Sequence, residues 1–93
     1  MTGEGREIED LRSMIAGVDN RILDAIADRM KLSVEIGRLK SIRGMGVEAK
    51  EVEEQVVSRG RSRAGELGLD QELAEEVLRL LIEYSKREQW RSR

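Results

Sequence analysis

Residues 8–42 read IEDLRSMIAGVDNRILDAIADRMKLSVEIGRLKSI, a stretch without proline in which apolar side chains return at helical intervals. Ile8, Leu11, Ile15, Val18, Ile22, Ile26, Ile36 and Leu39 keep to steps of three and four, the spacing that lines one face of an α-helix. Gly17 and Gly37 are its weak points, each costing ~1 kcal/mol relative to Ala. The pattern predicts one helix over about residues 8–42. At roughly 1.5 Å per residue such a helix is about 52 Å long. A compact chain of 93 residues has a radius of gyration of only roughly 12 Å. The helix therefore overshoots any body its own chain can build around it. Its apolar stripe must meet another long helix, and the simplest source is a second copy. The expected assembly is an intertwined, all-helical homodimer.

Downstream, Gly44 and Gly46 interrupt the rhythm. A shorter helix is predicted over about residues 48–64, carrying Val52, Val56 and Val57, with Gly65 and Gly68 ending it. Asp70 has the character of an N-cap. The third helix, over about 70–91, carries Leu73, Val77, Leu78, Leu80, Leu81, Ile82 and Tyr84 and runs on towards Trp90, which reads as a packing residue. The order is long, short, medium: an all-α chain, expected to form a single domain over 1–93.

Composition narrows the chemistry. There is no cysteine and no histidine, which removes thiol–histidine nucleophiles and zinc sites built on nitrogen and sulfur. No glycine-rich phosphate loop is present. An enzyme made from this inventory works with Arg, Lys, Glu, Gln and Ser, and no cofactor is expected. The 39% of charged residues are mixed in sign, with a net charge of −2, so no basic field invites nucleic acid or an anionic membrane. Arg59, Arg61 and Arg63 read as a solvated helix face. Apolar runs such as Leu80-Leu81-Ile82 are too short to span a bilayer. The opening residues Met1 to Arg6 lack the apolar stretch of a secretory signal, and the expected location is cytoplasmic.

Within the long helix, projection at ~100° per residue brings two cations into the apolar sector. Ile15, Val18, Ile22 and Ile26 define the stripe; Arg29 and Lys40 fall within it, with Ser33 between them and Arg12 on the margin. Charges facing a core need partners, because desolvation costs several kcal/mol. One reading pairs Arg29 and Lys40 with carboxylates of the other helices, or lets them snorkel to solvent. The other makes them an anion site, with Ser33 and Gly37 leaving room between them. Their separation of about 16 Å along the axis lets long side chains lean towards opposite ends of a small dicarboxylate. Arg12 lies about 25 Å from Arg29, so it serves such a site only across a dimer interface. On the third helix Ser85 and Gln89 share a face with Leu78 and Ile82, either as an ordinary polar helix end or as one wall of a site.

Four segments carry a resemblance: Leu11-Arg12-Ser13-Met14-Ile15, Val18-Asp19-Asn20-Arg21-Ile22-Leu23, Ile26-Ala27-Asp28-Arg29, and Val34-Glu35-Ile36-Gly37-Arg38-Leu39-Lys40. Together they resemble the first helix of the all-helical chorismate mutases. Leu80-Leu81-Ile82-Glu83-Tyr84-Ser85-Lys86-Arg87-Glu88-Gln89 is similar to that family's third helix, with its Ile-Glu-x-Ser-x-x-x-Gln pattern. The intervals between the elements agree without a gap over nearly the whole chain.

The resemblance implies a cofactor-free isomerase that converts chorismate to prephenate in phenylalanine and tyrosine biosynthesis. It implies that Arg29 and Lys40 are the pocket cations of one subunit and that Arg12 is donated by the partner. It assigns Ser85 and Gln89 to the opposite wall, Glu53 to the substrate hydroxyl, and Lys40 and Gln89 to the ether oxygen. One stretch departs from the family's Asp-x-x-Arg-Glu: Ala49-Lys50-Glu51-Val52-Glu53 keeps only the glutamate. Ala49 still offers its backbone, whereas Val52 removes a cation that Lys50 or Arg43 would have to replace. The alternatives are an isochorismate-pyruvate lyase, which uses a similar cationic pocket, and a non-catalytic helical dimerisation module.

Overall fold

The computed structural model describes residues 3–93; Met1 and Thr2, the start of the stretch read for a leader, lie outside them. The elements are α1 (Gly3–Ile42), α2 (Lys50–Leu67) and α3 (Gln71–Arg91), and the described residues contain no strand. α1 is 40 residues long and unbroken through Gly17 and Gly37. It starts several residues before the apolar rhythm does, because Gly3 to Glu7 carry helix-compatible polar residues with no breaker other than glycine.

The expected end of the second helix needs correction. Gly65 lies inside α2, and the helix closes at Gly68. Gly68 adopts φ 68° and donates to Gly65 O at 3.3 Å, while Leu69 N reaches Ala64 O at 2.8 Å. This is a Schellman closure, which needs the left-handed residue at Gly68 and not at Gly65. Asp70 caps α3 as expected, its carboxylate accepting from Glu72 N at 2.8 Å and Leu73 N at 3.3 Å.

α3 packs against both α1 and α2, whereas α1 and α2 face one another across a cavity. Arg61 and Arg79 tie α2 to α3 through Glu75 and Glu54, and Arg63 pairs with Glu66. Arg63 and Glu66 are exposed and their pair is of modest worth, whereas Arg61 is half-buried against Glu75 of α3, so a solvated face describes Arg63 but not Arg61. No helix among the described residues is long and apolar enough to cross a membrane.

The molecule measures 63 × 26 × 14 Å, with a radius of gyration of 17.7 Å. That is well above the roughly 12 Å of a compact chain this long, and the excess comes from α1. Ile8, Leu11, Met14, Ile15, Val18, Ile22 and Leu23 all stand exposed on its first half. The buried apolar residues among those described are only Val47, Val57, Ala64 and Ile82. The core is small for three helices, and the first half of α1 carries a contiguous apolar stripe larger than a lone soluble chain ordinarily exposes.

Candidate active site

The second half of α1, the 43–49 loop, the start of α2 and the end of α3 enclose a cavity of about 290 Å³. Arg29 and Lys40 both line it from α1, and neither pairs with a carboxylate among the described residues. The reading in which they are neutralised by acids of the other helices is thus overturned. Arg29 Nη1 instead donates to Ser85 Oγ at 2.8 Å, and the Ser85 hydroxyl donates on to Met30 Sδ at 3.6 Å. Lys40 Nζ donates to the Val47 carbonyl at 3.3 Å. Val47 is only 3% exposed and plugs the loop end of the cavity. Both cations are half-buried, held by neutral groups, and retain donor capacity towards the cavity.

Gln89 is buried, its Nε2 donating to Ser33 Oγ at 3.0 Å, while its Oε1 is buried without a partner. An orphan amide oxygen in a cavity wall is costly to leave unmet. A half-turn of the amide lets Oε1 accept from the Ser33 hydroxyl and turns Nε2 to the cavity, since a serine hydroxyl serves either role. Glu53 presents a second orphan, Oε2, also buried and unpartnered. Its other oxygen accepts from Lys86 Nζ at 3.1 Å, and Lys86 also reaches Glu48 at 3.2 Å. Burial pushes the Glu53 carboxyl up, but the Lys86 hydrogen bond and charge, helped by the Ala49 backbone and Glu48, outweigh it and hold it below the usual glutamate value. The Lys86 ammonium is correspondingly raised by its bonds to Glu53 and Glu48.

Six of the residues singled out in the sequence therefore border one cavity: Arg29, Lys40, Ala49, Glu53, Ser85 and Gln89. Arg12 does not. It is exposed on the free half of α1, away from the cavity of its own chain. Val52 lines the wall, whereas Arg43 and Lys50 do not, so neither makes good the missing cation within this chain. Trp90 is 61% exposed and lies under the Arg93 guanidinium rather than in a core.

Gly37 does not leave room for a ligand, as its sequence position suggested. A Cβ there would lie 2.6 Å from Gln89 Cγ and 3.3 Å from Gln89 Cα, so the space is filled by α3. Gly37→Ala gains about 1 kcal/mol of helix propensity but overpacks this contact, a change that costs about 1–3 kcal/mol. The expected result is a lower Tm in thermal melts and displacement of Gln89 from the cavity.

Lys86 was missed by the sequence reading, although its signal was there. Ile82, Ser85, Lys86 and Gln89 follow the i, i+3, i+4, i+7 pattern of one helix face. A lysine on that stripe invites the same question as Arg29 on α1.

A cavity with unneutralised cations, a neutral amide, a carboxylate and apolar walls suits a small anionic substrate that needs holding rather than covalent attack. Comparison with known proteins supports that class. The family described as chorismate mutase type II matches residues 11–90 of the chain. The chain belongs to this family. It is 28% identical over 80 residues to a protein named chorismate mutase from Methanocaldococcus jannaschii, covering 86% of this chain and 81% of that one. It is 35% identical over 79 residues to the T-protein of Enterobacter agglomerans, covering 85% of this chain. A T-protein of Haemophilus influenzae is 31% identical over 78 residues. The chain spans only 21% of each T-protein, so the similarity covers one part of these longer relatives.

Proposed function

We propose that the chain is a chorismate mutase, converting chorismate to prephenate in the α1–α3 cavity, and that it works as a homodimer. The observation that carries this reading is the pair Arg29 and Lys40, unpaired with any described acid, facing Gln89 and Glu53 across one apolar-walled space. The reaction is an intramolecular Claisen rearrangement: one C–O bond breaks as one C–C bond forms, and no electron or proton is exchanged with the protein. It needs no nucleophile, which agrees with the residues present.

What the protein supplies is conformational selection and electrostatics. The substrate is a flexible dianion, and its reactive form must be held for bonding partners to meet. Arg29, fixed by Ser85, binds one carboxylate through charge-assisted hydrogen bonds. The second carboxylate falls to the partner's Arg12, brought in along the exposed stripe of α1. As the C–O bond breaks, negative charge develops on the ether oxygen. Lys40 and the turned amide of Gln89 stabilise it as donors already in place. Glu53 accepts from the ring hydroxyl, with the Ala49 backbone nearby.

Purified protein offered chorismate and isochorismate separately tests this reading. Prephenate from chorismate, identified by NMR, supports it. Pyruvate released from isochorismate favours the lyase, a reading that the neutral Val52 wall keeps in view. Neither product would make the chain a dimerisation module.

A further inference from the structure

Three cations line the cavity, and the third, Lys86, has no part in the scheme above. It projects from α3 between Glu48 at the rim and Glu53 inside, bonded to both. Glu48 is largely exposed while the Glu53 side chain is 20% exposed, so the bridge links solvent to the cavity wall. The Glu53 carboxylate is thereby asymmetric: Oε1 is fixed by Lys86 and Oε2 is buried with no partner. An oxygen in that state is an acceptor waiting for a donor. The walls around it include Val47, Val52, Val56 and Ile82. Such a setting favours a neutral carboxyl unless a cation adjoins it. The other charged groups facing this space are Arg29 and Lys40 on α1, and neither bonds Glu53. Lys86 lines the same cavity as Val52, which stands in place of the family's arginine.

We propose that Lys86 is a positioning residue, which fixes one oxygen of Glu53 so that the other is presented to the hydroxyl of the substrate. The proposal rests on the chorismate reading above. Lys86 touches the carboxylate and not the reacting atoms, so its loss acts on substrate binding more than on the chemical step.

The test is a Lys86→Met variant, examined by two readouts. In the first, the side-chain carboxyl carbon of Glu53 is followed against pH by ¹³C NMR, without substrate. The wild-type group titrates below the ordinary glutamate value, and in Lys86→Met it moves up by about one pH unit or more, as burial is no longer opposed. In the second, KM for chorismate rises about tenfold with kcat little changed, the size expected for a lost charge-assisted hydrogen bond. The acid limb of kcat/KM moves up in step with the Glu53 titration. Lys86→Arg, which keeps a cation within reach, recovers most of the loss. Lys86→Met added to Glu53→Gln costs nothing beyond Glu53→Gln alone, because the two residues act through one contact. Wild type that turns over chorismate, with Glu53 titrating alike in both proteins or with multiplicative losses in the double variant, overturns this proposal alone. A wild type that leaves chorismate untouched overturns the catalytic reading and the hydroxyl assignment with it.

Discussion

Lys40→Met lowers kcat about 10²–10³-fold, and Gln89→Ala does much the same, the cost typical of removing one preorganised donor to a developing oxyanion. Both variants stay folded. Lys40 loses one bond to the Val47 carbonyl, and Met restores the apolar length of its stem. Gln89→Glu separates the donor role from packing. An ionised carboxylate cannot donate, whereas a protonated one can. The variant is therefore active only on the acid side of its own carboxyl pKa, while the wild-type amide works through neutral pH. Steady-state rates between pH 4 and pH 9 check this. A Gln89→Glu enzyme fully active at pH 8 removes Gln89 from the ether oxygen.

The second large effect concerns the exposed stripe of α1. Ile15→Asp combined with Ile22→Asp places charges where two copies are proposed to meet. Burial of one isoleucine stabilises by about 1.5–3 kcal/mol, and a dimer loses four of them. The sum approaches or exceeds the roughly 5–15 kcal/mol that holds a typical domain. The variant is expected to lose both dimer and helicity, as read by analytical ultracentrifugation and far-ultraviolet circular dichroism. A variant with wild-type mass and helix content would show that the stripe lies outside the interface.

Much of this architecture was legible in the residue order, for identifiable reasons. The rhythm from Ile8 to Leu39 announces α1 because a long helix presents one face to one partner. Asp70 marks the start of α3 through its capping chemistry. Arg29 and Lys40 stand out as charges on an apolar face. The relation between α1 and α3 is not local, and there the reading went astray. Gly37 looks like spare room in one helix and is a seat for Gln89 when both are in place. Gly65 looks like a helix stop, yet the closure depends on which glycine takes positive φ, and that is Gly68. Lys86 has the spacing of a cavity residue, but only the fold shows that Glu48 and Glu53 converge on it.

The claim on which the rest depends is that each active site is completed by the other copy. Arg12→Ala and Arg29→Ala are each expected to form inactive homodimers. Unfolded together in equal amounts and refolded, they yield mixed dimers in which one site keeps both arginines and the other has neither. For a two-fold symmetric pair with random assortment, chorismate turnover returns to about a quarter of wild type. A mixture no more active than its parents, or an Arg12→Ala protein as fast as wild type, would contradict the shared site.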